Sequence, residues 1–168
     1  GWTMDGATPE EESSQSGVNA AMIHAVQQMT GTVKIQEKGK AKMVKPLQEV
    51  EIDFPGFGKF KTRVFGHPEA ITFPHHFKTI KNSFNLAHGS GFGTLKWIMR
   101  LVDWKIISVE KAAGIVQNLS SSIRKDLEDQ GIETGLDLKN INPMEPPPIY
   151  SLAIGKKDGK QASCGTTF

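Results

Sequence analysis

Apolar and polar positions change rhythm along the chain. Met22, Ile23, Val26 and Met29 recur at three- and four-residue intervals, the spacing of one buried helical stripe, and Gly31 ends the pattern. The preceding "ATPEEESS" carries start signals of its own: Thr8 as a cap, Pro9 at a first helical position and Glu10 to Glu12 at the dipole's positive end. The stripe begins only after Ser16, so the helix is placed there and "PEEESS" is read as a polar loop or short turn. From residue 32 the period drops to two. "TVKIQ", "AKMVKPL", "EVEIDF" and "KFKTRVF", broken by "EKGK" and "PGFG", predict two hairpins, and "TIKNSFNLA" reads as a further strand or an extended loop.

Helical spacing then returns. "FGTLKWIMRLVDW" is apolar around most of its circumference and predicts a well-buried helix. In "SVEKAAGIVQNLSSSIRKDLEDQG", Ser108 is the cap and Gly131 the stop; Ile115, Leu119, Ile123 and Leu127 recur every four residues beside Ala112 and Val116. "NPMEPPPIY" is too rich in proline to be helical. It leads into "IYSLAIGKKDGKQASCGTTF", a hairpin turning at "KKDG". This order predicts an α+β fold, a largely antiparallel or mixed sheet covered on one face by helices, as a single domain over residues 1–168. No internal repeat is present.

Composition narrows the partners. Twenty basic residues against 18 acidic give a net charge of +2, without the electrostatic footprint of a nucleic-acid binder. The most apolar run carries Lys96, Arg100, Asp103 and Lys105, which argues against a membrane span. Cys164 is the single cysteine, so there is no intrachain disulfide and no cysteine-based zinc site, and a reducing, cytoplasmic location is expected. The opening at Gly1, with no initiating methionine and no signal peptide, reads as a fragment of a longer protein.

Four candidate chemistries follow from the residue types. Gly89, Gly91 and Gly93 in "AHGSGFGTLKW" lie before a helix, but a dinucleotide turn would need glycine where Thr94 stands, and a second helix follows. A connector is expected there. Among the histidines at 24, 67, 75, 76 and 88, no pair has metal-ligand spacing; His75 and His76 would point to opposite faces of a strand, and no metal is expected. No nucleophile elbow exists, and nothing close in sequence activates Cys164. His67 and Glu69 remain, in "GHPEAITFP". Proline between them stiffens a strand-end corner from which both side chains can project. The pair is read either as a structural corner or as an acid, base or hydrogen-bond donor, in an independent hydrolase among other settings.

Several stretches together resemble the saccharopine dehydrogenase-like oxidoreductases: the opening "GWTMDGATPEEESSQSGVNAAMIHAVQQMTGTVKI", then "DFPG", "GHPE" and the closing "IGKKDGK". The resemblance runs from about residue 1 to 160, with "GHPEAITFP" its most specific piece. It implies the second, C-terminal domain of such an enzyme, similar to the C-terminal domain of glyceraldehyde-3-phosphate dehydrogenases. That domain closes over a small-molecule substrate and contributes a homodimer interface. NAD or NADP would be bound by an N-terminal Rossmann domain not contained in this chain, so the isolated fragment is expected to hold no cofactor and to be inactive. The family's reactions oxidise an amine or reduce the corresponding imine of amino-acid-like substrates. The motif residues that carry over are His67 and Glu69, with Ser13 and Asn19, for substrate binding or interdomain contact. Arg63 joins them as a carboxylate binder by its chemistry, as does Arg100, which is more simply an edge charge on its helix. A non-catalytic binding or assembly module on the same scaffold is the alternative, with the helix around Trp97 and Trp104 facing a partner.

Overall fold

A computed structural model describes residues 1–3, 17–89, 91–129 and 149–167. In chain order the elements are β1 (Trp2–Thr3), α1 (Ala20–Gln28), β2 (Val33–Glu37), β3 (Lys40–Val44), β4 (Glu49–Phe54) and β5 (Gly58–Phe65). They continue with α2 (Glu69–His76), β6 (Asn85–His88), α3 (Phe92–Asp103), α4 (Val109–Asp129), β7 (Tyr150–Lys157) and β8 (Lys160–Thr167). The class is α+β. Both expected hairpins form, β2–β3 and β4–β5, and the β7–β8 hairpin with them. The strands make three small sheets rather than one: a four-stranded sheet in the order β1-β6-β5-β4 and two separate two-stranded sheets. Among the described strands only the β1–β6 pair is parallel.

Strand parity explains the layering. On one face of the four-stranded sheet, Phe65 and Ala87 meet Val26 and Met29 of α1, Leu95, Ile98 and Met99 of α3, and Ala112, Ala113 and Val116 of α4. The next residues back along each strand, Val64 and Leu86, point to the opposite face and pack with Val33 and Ile35 of β2. The first hairpin therefore covers the second face instead of extending the sheet. Farther along that face Tyr150 of β7 lies against Phe54, Phe60 and His88, with ring centroids 5.6, 5.8 and 5.8 Å away. Leu47, which leads into β4, has φ 60, a conformation costing a branched residue about 1–2 kcal/mol. Its side chain is buried in the helical core, which is worth about 1.5–3 kcal/mol and offsets that cost.

Three expectations change at the level of elements. The strand before "GHPE" ends at the corner as expected, but the segment that follows, where a strand would hold His75 and His76, is the short helix α2, which packs against β2. On α3, Leu95, Ile98 and Met99 are buried while Trp97 and Trp104 are about 60% exposed (61% and 60%), so that helix is two-faced rather than buried all round. On α4 the buried residues are Ala112, Ala113 and Val116, and Ile115 and Leu119 face outward. Small side chains let α4 approach α1 closely, which leaves the larger ones outside. Ile123, Leu127, Gly131, "PEEESS" and most of "NPMEPPPIY" lie outside the residues whose side chains are described. Among the described residues no helix is long and apolar enough to cross a membrane.

Candidate functional site

The corner after β5 is assembled from three elements. α1 begins where Asn19 caps it: the side-chain oxygen accepts from Ala21 N–H at 2.7 Å. Later on the same helix, His24 and Gln28 stand at i and i+4, and the Gln28 amide is hydrogen-bonded to His24 Nε2. The Gln28 backbone carbonyl accepts from Gly66 N–H at 3.0 Å, tying α1 to the end of β5. Glycine is required at 66 by this approach. A Cβ there would stand 2.5 Å from Val33 Cγ1 and 3.0 Å from the Gln28 oxygen.

Pro68 then sits at the N-cap of α2 with φ −60 and ψ −30, and Glu69 occupies the first turn, where a carboxylate suits the dipole. From the third element, β6, the Asn85 amide donates to the His67 carbonyl at 3.0 Å, and that carbonyl also receives Ala70 N–H at 3.4 Å. The His67 backbone is thus fixed from two sides. Its Nδ1 is paired with Glu69 Oε2, and its ring meets the ring of His24 edge-on, 6.4 Å between centroids.

Two effects disfavour the charged form of this imidazole. Burial lowers the His67 pKa from its ordinary value, and the second imidazole, His24, lowers it further. An imidazole and a carboxylate stand side by side at this corner. Such a pair can accept a proton or orient a ligand donor, and the two side chains remain 27% and 39% exposed.

The other expected residues are not brought to this corner. Asn19 is a buried structural position at the opposite end of α1, its own N–H donated to Gln117 Oε1 at 2.9 Å. Arg63 pairs with Glu49 at 2.8 Å and lies over the Phe92 ring at 5.8 Å. Lys61, with Arg63 beside it, holds Glu49 below the usual carboxylate range. Arg100 rests over Trp97, 5.0 Å from the centroid. Ser13 lies outside the described residues. His75 and His76 fall in the last turn of α2 rather than in a strand, and His88 is buried beside Phe60 and Tyr150. His24, Gln28 and Asn85 are the site residues that sequence reasoning missed. The i, i+4 spacing of His24 and Gln28 beside an apolar stripe was the available signal for two of them.

The described residues do not fit a dinucleotide. Gly91 caps α3 with φ 73, but β6 before it runs antiparallel to β5, and α4 follows α3 with no strand between them. The strand–turn–helix–strand unit that seats a pyrophosphate is therefore not built here. Among the described residues no group of three His, Cys, Asp or Glu side chains is placed to hold a metal ion. Comparison with protein-family profiles, curated proteins and solved structures returned no match.

Proposed function

We propose that this chain is the substrate-binding and dimerisation domain of a cytoplasmic NAD(P)-dependent oxidoreductase similar to the saccharopine dehydrogenases. The substrate class is an amine or imine of an amino-acid-like molecule. NAD or NADP belongs to a separate Rossmann domain and carries the hydride chemistry. This chain's part is to orient substrate and exclude water, with the His67–Glu69 corner facing the substrate or the cofactor domain.

The observation that carries the reading is the His67–Glu69 pair itself. The motif that most resembles the family, "GHPE", is also where an imidazole and a carboxylate meet on a corner held by α1 and β6. The test uses the protein encoded together with its upstream sequence, assayed for nicotinamide binding and for turnover of amine and imine substrates. His67→Gln and Glu69→Gln are expected to keep cofactor binding and to lower kcat/KM about 10–100-fold, the range expected for lost positioning. Failure of the wild-type protein to bind either nicotinamide cofactor overturns the proposal. Binding without turnover favours the second reading, a non-catalytic assembly module, for which the exposed Trp97 of α3 and Trp104 at its C-cap speak.

A further inference from the structure

A second site lies beyond α2, where a cleft of about 320 Å³ opens between that helix, the segment that follows it and the turn of the β2–β3 hairpin. Its walls are pinned together by backbone. Gln36 and Ser83 exchange hydrogen bonds in both directions, 3.1 and 2.9 Å, and Gly39 N–H donates to the Lys81 carbonyl at 2.7 Å. The Gln36 side-chain amide donates to the Ile80 carbonyl at 2.9 Å, and Lys38 N–H to Asn82 Oδ1 at 2.9 Å. The hairpin turn and residues 80–83 thus form one rigid rim, and Pro74 of α2 lines the cleft opposite.

The charge of this cleft has one sign. His75, Lys78 and Lys81 line it, and no carboxylate does among the described residues. Glu37, the acid on the adjoining hairpin, is bound to Lys42 at 2.6 Å. Near-neutral net charge hides this concentration, because the balancing acids lie elsewhere, Glu49 and Glu51 on β4 facing Lys61 and Lys59. The type of cation matters as well. Lysine binds phosphate as a compact point charge that needs no fixed fork geometry, and the lining supplies two such charges and no arginine. A volume near 320 Å³ falls at the lower end of small-molecule sites.

We propose that this cleft binds a small phosphate-bearing ligand, with Lys78 and Lys81 neutralising phosphate oxygens and His75 contributing a further hydrogen bond. None of the lining residues belongs to the His67–Glu69 corner, so the two proposals stand or fall separately.

The test is an amide NMR titration of the chain with inorganic pyrophosphate at constant ionic strength, using citrate as a carboxylate of similar charge. Saturable shifts are expected at Gly39, Lys78 and Lys81, with citrate binding at least tenfold more weakly. Lys78→Ala and Lys81→Ala should each weaken pyrophosphate about tenfold, the loss of one charge-assisted contact. Both lysines are exposed, so the amide spectrum elsewhere should stay unchanged. Lys156→Ala on β7 serves as the surface control and should leave the affinity as it was. Non-saturating shifts spread over the surface lysines overturn the proposal. So does equal affinity for citrate, or insensitivity to both cleft substitutions.

Discussion

His67 experiences burial and a neighbouring imidazole, both of which disfavour its charged form. Unfolded, the side chain titrates near about 6.5, and folding lowers that value. Between the two values the unfolded chain binds more protons, so acidification favours unfolding. The neutral ring's contribution to stability is complete above about 6.5 and is lost as pH falls through the folded pKa. Urea denaturation at pH 7.5 and at pH 5 should therefore show a loss of stability on acidification that His67→Gln reduces; an identical loss in the variant contradicts the assignment. Asn19 is predicted to matter for a different reason. It caps α1 and is buried, so Asn19→Ala should cost about 1 kcal/mol by the same measurement while leaving the His67 pH response intact. A substrate-binding role for Asn19 would instead show as a substrate KM effect without a stability loss.

The corner depends on elements meeting closely, and Gly66 is where that is most exposed to test. Gly66→Ala drives a methyl group into Val33 and the Gln28 carbonyl, two positions on separate elements, and should destabilise by about 1–3 kcal/mol. Gly155→Ala on β7 meets nothing within 4 Å and should be close to neutral in the same melting experiment. Equal effects at the two positions would show that the α1–β5 contact is not the constraint. The contrast also explains what could be read from the sequence. Period-two alternation exposed β2 and β4, where inward and outward positions alternate. Their hairpin partners β3 and β5 followed from the turns, although β3 is exposed up to Val44 and β5 ends with Val64 and Phe65 in cores on opposite faces. α2 escaped notice because its eight residues include Pro74, which removes the bond to the Ala70 carbonyl and leaves no periodic stripe. On α4 the sequence named Ala112 and Val116, which are buried, together with Ile115 and Leu119, which close packing of the small side chains leaves exposed. His67 and Glu69 were legible through their local motif. The contact of His67 with His24 was not, because only the fold brings α1 to the end of β5.

For the whole molecule, the distribution of apolar surface bears on assembly. α3 buries Leu95, Ile98 and Met99 and turns Trp97 outward, with Arg100 stacked on its ring; Trp104, just past the helix end, and Ile106 extend the exposed surface. An indole buries about 150–250 Å² when covered, whereas a stable interface needs about 800 Å² from each partner. Two tryptophans therefore supply anchors for a dimer but not its full area, and flanking polar surface must be covered as well. If α3 is the dimerisation face of the proposed oxidoreductase domain, Trp97→Lys and Trp104→Lys together should convert the wild-type dimer to monomer in sedimentation velocity, with the melting temperature little changed because neither ring is in the core. A wild-type chain that stays monomeric at high micromolar concentration removes the homodimer from the proposal. A dimer unaffected by both substitutions moves its interface off α3, and leaves the indoles to a separate cofactor domain. That outcome is readable in turn: fluorescence of Trp97 and Trp104 would then change on joining the domains and not on dilution.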